Sequence, residues 1–288
     1  HQGPTHMTTF HYPSPERVPA QSPGQTPGQT PAQSPEQGLA HNSPLTGIDP
    51  EVLRALANVA QGPSQADNLL QGENITSDEE QLTQAKADLE AFASQLYPDT
   101  DPNNTQPRQD FIAGFRIETQ DDQAVIIPID PNTNQPIENF KLSISGRGLT
   151  GELLLPHQMQ ISVLHCPDNQ LTSLPDLPAS LTRLDCRNNQ LTSLPDLPPD
   201  SLTELDCHNN QLTSLPDLPD SLTALYCHNN QLTSLPDQLP AGLTVLDCSD
   251  NQLPSLPDLP ASLTELYCTI NQLTSLPNQL PASLTALD

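Results

Sequence analysis

A parallel-stranded solenoid, one coil for every 20 or 21 residues, is the fold class this sequence predicts. Three observations predict it. The six cysteines, Cys166, Cys186, Cys207, Cys227, Cys248 and Cys268, are separated alternately by 20 and 21 residues. Each sits in the same phrase, Leu-x-Cys-x-x-Asn-Gln-Leu-x-Ser-Leu-Pro. Each phrase then runs into a Leu-Pro-Asp-Leu-Pro stretch, or its one-residue-longer form at 235–240 and 276–281, whose prolines cannot sit in a helix.

Composition narrows the function classes first. The 288 residues carry a formal net charge of −26, and Lys86 and Lys141 are the only lysines. Such a chain repels nucleic acid and anionic membrane, so neither is an expected partner. Apolar runs such as Ala124 to Ile127 are far too short to span a bilayer. No basic start followed by an apolar stretch marks a classical secretory signal. The chain opens at His1, and Met7 reads as a native start after a six-residue remnant. It closes at Asp288 inside a repeat, which reads as a fragment of a longer protein.

Residues 1–44 are low-complexity, with Gln-[Ser/Thr]-Pro-x repeated four times from Gln21 to Gln37. They bury too little apolar area to offset about 1–2 kcal/mol of backbone entropy per residue, so a disordered leader of polyproline II character is expected. Residues 45–98 read as a two-helix segment. Asp49-Pro50-Glu51 opens the first helix, which Gly62-Pro63 stops. Ser77-Asp78-Glu79-Glu80 is a capping box for the second, whose stripe runs through Leu82, Ala85, Leu89, Phe92 and Leu96. Residues 99–138 read as linker and extended backbone, with strand character at Ala124 to Ile129. Residues 139–160 read as a degenerate first repeat, because Ile144 falls 22 residues before Cys166 and Leu155-Pro156 matches the repeat's Leu-Pro.

Residues 161–288 are the repeats proper. One unit is Leu181-x-x-Leu184-x-Cys186-x-x-Asn189-x-Leu191-x-x-Leu194-Pro195-x-Leu197-Pro198. This is a leucine-rich repeat with cysteine at its sixth position. Leu184 and Cys186 are two apart, so they share the inward face of a short strand. Asn189 ends the strand, and its counterparts Asn169, Asn210, Asn230, Asn251 and Asn271 should form a ladder of buried amides bonding neighbouring rungs. The proline-rich return makes a thin, extended convex side. The cysteines read as small buried hydrophobes. No metal or cofactor is expected: Cys-x-x-Cys is absent, and His165, His208 and His228 face away from the cysteines they adjoin. His208 and His228 lie stacked on successive rungs, a pair able to bind metal or sense pH, but a solvated place on the face is the expectation.

The outward strand positions form the concave face, where solenoids bind. Arg183, Asp185, Arg187, Glu204, Asp206, His208, Tyr226, His228, Asp247, Glu265 and Tyr267 are the candidate protein-binding residues. Inward residues barely vary between rungs while these do, and Tyr226 and Tyr267 are the aromatic anchors.

The unit Leu-x-x-Leu-x-Cys-x-x-Asn-Gln-Leu-Thr-Ser-Leu-Pro-Asp-Leu-Pro resembles the 20-residue repeat of bacterial effectors. These include the IpaH- and SspH-like ubiquitin ligases and the ligase-free YopM type. The resemblance covers the six near-copies over 161–288. It implies recognition of a host protein, coupling to ubiquitin-conjugating machinery through a domain beyond Asp288, and delivery to host cytoplasm by a type III or related system that the 7–44 leader would serve; otherwise the protein is cytoplasmic. It implies a helical N-terminal cap, a part open to 49–61 and 77–97, although the extended segment at 110–138 departs from the family pattern. In that family catalysis rests on Cys-x-Asp. Cys166-Pro167-Asp168 and Cys248-Ser249-Asp250 match in letters, yet their sulfurs should point into the core, so no catalytic residue is assigned. Two readings stay open: the recognition arm of a secreted ubiquitin ligase, or a stand-alone scaffold that catalyses nothing. An enzyme within the chain has no support, since there is no phosphate loop, nucleophile elbow or His-Glu-x-x-His.

Overall fold

Helix α1, Asp78–Leu96, begins at the capping box: Ser77 Oγ accepts from Glu80 N at 3.3 Å, and Glu80 Oε2 accepts from Ser77 N at 3.2 Å. The computed structural model describes residues 77–288. The leader read over 1–44 and the helix read over 49–61 lie outside the described residues. Ala85, Leu89, Phe92, Ala93 and Leu96 are the buried stripe of α1.

The 99–138 stretch, expected as linker and extended backbone, contains a second helix. Asp101 accepts from Asn103 N at 2.9 Å, Pro102 takes the first position of a 3-10 turn, and α2 follows over Thr105–Ala113. Its composition is polar and Phe111 is its one buried residue, so its apolar stripe is too thin to read from sequence. Tertiary contact holds it: the Phe111 ring lies 5.8 Å from Phe92 and 5.1 Å from Phe115. Strands β1, Phe115–Gln120, and β2, Gln123–Pro128, then form an antiparallel hairpin. Asp121 and Asp122 turn it with φ of 49° and 61°, the primed geometry that two-residue hairpins favour.

The main sheet has eight parallel strands in the order β3, Lys141–Ser143; β5, Val163–His165; β7, Arg183–Asp185; β8, Glu204–Asp206; β9, Ala224–Tyr226; β10, Val245–Asp247; β11, Glu265–Tyr267; β12, Ala286–Leu287. Two further strands, β4, Thr150–Glu152, and β6, Gln170–Ser173, pair beside it. Register is unbroken: Leu142, Leu164, Leu184, Leu205, Leu225, Leu246 and Leu266 form one inward column. Beside it runs a column of Ile144 and the six cysteines. Burying one such leucine contributes about 1.5–3 kcal/mol. The returns from one strand to the next carry no helix. That is why so few residues close a coil.

The helical and hairpin segment seals the first coil. Ile126 N donates to Gln158 O at 2.9 Å and Gln160 N to Ile126 O at 2.8 Å, so β2 continues the backbone of the first rung. Gln95 Nε2 donates to Glu152 O, while Gln95 Oε1 accepts from Leu154 N. The Arg147 guanidinium donates to Leu96 O and lies 4.8 Å from the Tyr97 ring centre. One hydrophobic cluster therefore runs from Ala85 to Cys268.

Candidate functional site

In the main sheet each strand before β12 is only three residues long, and its central leucine faces the core. Four side chains per rung thus have fixed roles. The first and third strand residues and the residue after the cysteine turn outward, and the ladder asparagine closes the strand. Asn210 shows the closure: its Nδ2 donates to Cys186 O and Cys207 O at 3.1 Å and lies 3.3 Å from His208 O, and its Oδ1 accepts from Leu191 N at 3.0 Å. Asn189, Asn230, Asn251 and Asn271 repeat this pattern. Asn169 bonds Ile144 O and the amides of Arg147 and Leu149 of the first rung. These amides satisfy backbone groups that would otherwise be buried and unpaired.

The outward positions join into a network across five strands. His165 Nδ1 lies 2.9 Å from Asp185 Oδ2. Arg187 Nη1 reaches Asp185 Oδ2 at 3.4 Å and Asp206 Oδ2 at 3.7 Å. Asp206 Oδ1 lies 2.5 Å from His208 Nδ1, and the His208 ring stacks on His228 at 4.1 Å. His228 Nδ1 lies 3.3 Å from Asp247 Oδ2, and Ser249 Oγ donates to Asp247 Oδ1. Burial would raise the Asp206 pKa, but the hydrogen bonds and charge of His208 and the charge of Arg187 outweigh it and hold the carboxyl below its usual range.

Two expected contact residues are corrected by this geometry. Asp185 and Asp206 are only 1% and 8% exposed, so they offer a partner almost no surface. On so short a strand the third side chain folds back, and its Oδ1 accepts the amide two residues on, Arg187 N or His208 N. Arg187, His165 and His208 then cover it. These two aspartates organise the face from beneath. Arg183 is exposed and pairs with Glu204 at 3.2 Å. Arg187, Glu204, His208, Tyr226, His228, Asp247, Glu265 and Tyr267 are half-buried and line the surface.

Tyr226, Asp247 and Tyr267 stand side by side at the same register position of β9, β10 and β11. One aspartate therefore stands between two tyrosines, its carboxylate turned back to accept from Ser249 N at 3.2 Å. Burial first, then the charges of Glu204 and Glu265, raise the Tyr226 pKa, so its hydroxyl stays a neutral donor.

All six cysteines are free and buried. Burial pushes the Cys186 and Cys227 thiols far up, and Cys248 to about 12. A thiolate nucleophile needs the opposite. Asp168 and Asp250 of the two Cys-x-Asp phrases occupy left-handed turn positions at φ 57° and 52°.

Sequence reasoning missed that second column. Asp168, Asn188, Asn209, Asn229 and Asp250 all adopt left-handed φ, and Asn188 and Asn209 chain their amides from rung to rung at 2.7 Å. The signal was an Asn or Asp just before the ladder asparagine, the types that tolerate this region. A threonine column was also missed: Thr203, Thr223, Thr244 and Thr264 each bond the carbonyl of the threonine one rung earlier through both N and Oγ1.

Among the described residues no group of three or more His, Cys, Asp or Glu could hold a metal, and no helix is long and apolar enough to cross a membrane.

A family model described as leucine-rich repeats in two copies matches residues 179–220 and 200–241. No curated protein matches the chain. Among solved structures, YopM from Yersinia enterocolitica is 36% identical over 46% of this chain and 33% of its own, with a TM-score of 0.41. A Shigella effector leucine-rich-repeat domain is 37% identical over 48% of this chain and 61% of its own, at 0.44. A functional domain of InlJ from Listeria monocytogenes, described as including a cysteine ladder, is 30% identical over 43% and 33%, at 0.35. The chain spans between a third and three fifths of the length of these relatives. It carries a leucine-rich-repeat scaffold similar in its repeats to those of bacterial effectors.

Proposed function

We propose that the strand-lined face between Arg183 and Tyr267 is a protein-recognition surface. The observation that carries this is the contrast between columns. Inward positions are leucine and cysteine in rung after rung, while the outward ones change from Arg183 to Glu204, Ala224, Val245 and Glu265. A constant core under a varying surface is what selective binding requires. Two half-buried tyrosines supply anchors of the type that dominates interface energetics.

The finer reading is that this surface selects substrates for a secreted ubiquitin ligase whose catalytic domain follows the repeats. Residues 161–288 contain no lysine, so they offer a tethered ligase no acceptor. The second reading is a stand-alone scaffold, favoured by the burial of all six thiols, which leaves the described residues no accessible cysteine.

A photo-reactive residue placed at Tyr267, and separately at the exposed Asp258, tests the face. The expected result is one crosslinked protein from position 267 only, lost when Tyr226→Ala is added and competed away by unlabelled chain. Equal crosslinking from both positions would overturn it. Sequencing the gene past the codon for Asp288 tests the finer reading. A helical domain with an accessible Cys-x-Asp outside the repeat phase supports the ligase arm; a few repeats and a stop codon withdraw it.

A further inference from the structure

We propose that the part of the face between Tyr226 and Tyr267 takes an arginine side chain presented by the partner protein. This rests on the reading of the face as a protein-recognition surface. The two rings belong to β9 and β11, and Asp247 on β10 lies between them in exact register. Neighbouring strands are about 4.8 Å apart, so the rings rise from strands about 10 Å apart with Asp247 on the strand between them. The first strand position beneath the slot is held by Ala224 and Val245, which are small, while Glu204 and Glu265 bound it on either side.

Charge decides what enters. The first strands of the face neutralise themselves: Arg187 serves Asp185 and Asp206, and Arg183 serves Glu204. Beyond Arg187 the sequence has neither lysine nor arginine to its end. Among the described residues Asp247 has the amide and hydroxyl of Ser249 and the imidazole of His228 but no lysine or arginine, and Glu265 has no basic partner. A guanidinium is the group that fits a carboxylate between two rings. It is flat, stacks on aromatic faces, and pairs through its edge with the acid below. An ammonium satisfies the carboxylate but cannot stack on both walls.

The test uses the full chain and three labelled peptides, (Arg-Ser)4, (Lys-Ser)4 and (Glu-Ser)4, titrated at moderate salt. The expected order is arginine tighter than lysine by about fivefold, with no binding of the glutamate peptide. Asp247→Asn and the Tyr226→Leu, Tyr267→Leu pair should each weaken the arginine peptide about tenfold. Asp217→Asn with Asp258→Asn, two exposed acids off this face, should change it less than about twofold. Leucine keeps the bulk of the walls, and matching urea midpoints show that each variant is folded. If the Asp217, Asp258 variant weakens binding as much as Asp247→Asn, the attraction is diffuse charge and the proposal falls. It falls also if the tyrosine pair changes nothing, if lysine equals arginine, or if the arginine peptide fails to bind. Crosslinking from position 267 that survives any of these results leaves the face standing and removes only its arginine chemistry.

Discussion

His208 and His228 stack ring on ring, 4.1 Å between centroids and 12° from parallel, on successive rungs of the face. Burial lowers the His228 pKa, Asp247 opposes the shift, and His208 adds to it. His165 is lowered likewise, by burial first, against Asp185 and with help from Lys141 and Arg187. Both imidazoles therefore resist protonation in the folded state. The unfolded chain takes up these protons near pH 6.5, so it binds more of them just below that value. Stability should be level above about pH 6.5 and fall as the pH drops beneath it. Urea midpoints at pH 7.5 and 5.5 measure this, with the lower midpoint expected at 5.5. A His165→Asn, His228→Asn variant should show a smaller difference. Asp206, whose pKa is lowered, acts in a separate window: its contribution is lost only below about pH 4.

Asn210→Ala should cost about 3 kcal/mol, because two carbonyls and the Leu191 amide lose a buried partner at once. Asn209→Ala, at the exposed left-handed position next to it, should cost only about 1 kcal/mol. Urea unfolding of both variants gives the comparison. Equal costs would mean that turn geometry, not the buried amide, carries the ladder.

Ile270 breaks the left-handed column. It sits at φ 54° with its side chain 72% exposed, where the other rungs have asparagine or aspartate. A β-branched residue is strained there and gains nothing from burial. Ile270→Asn should raise stability by about 1 kcal/mol, read as a higher urea midpoint at unchanged slope.

The solenoid was legible because its determinants repeat. Leucine, cysteine and asparagine return at fixed spacing, and each needs only its own rung and the next to be placed. Even the first rung shows through Ile144 and Leu155, which keep the phase without the cysteine. What was hidden depends on contacts that no spacing encodes. Helix α2 has one buried ring, Phe111, supported by Phe92 and Phe115 from other elements. The 3-10 turn leading into it was nonetheless written as Asp101-Pro102, a cap followed by the proline that tolerates a first turn. On the face, alternation marks Asp185 and Asp206 as outward, and they are. Their burial comes from Arg187, His165 and His208 closing over them, a property of three rungs together.

The cysteine column gives the last prediction. Cys207 lies between Cys186 and Cys227 on the neighbouring rungs, and all three have no exposed surface. Column neighbours are thiols and leucines, and the backbone oxygens nearby are already engaged by the asparagine ladder. A hydroxyl placed there would lack a ready acceptor and would be desolvated, at about 1–3 kcal/mol. A methyl group would leave only a small void, at about 1 kcal/mol. Cys207→Ser should therefore destabilise more than Cys207→Ala, although serine is nearer to cysteine in size. The same burial makes the native thiols slow to react. With a thiol-specific chromogenic reagent, Cys186, Cys207 and Cys227 should react only at the rate of unfolding, so added urea should accelerate them in step with loss of the fold. Fast labelling of Cys186, Cys207 or Cys227 in the native protein would mean that the column opens on its own, and that it is a reactive feature and not packing.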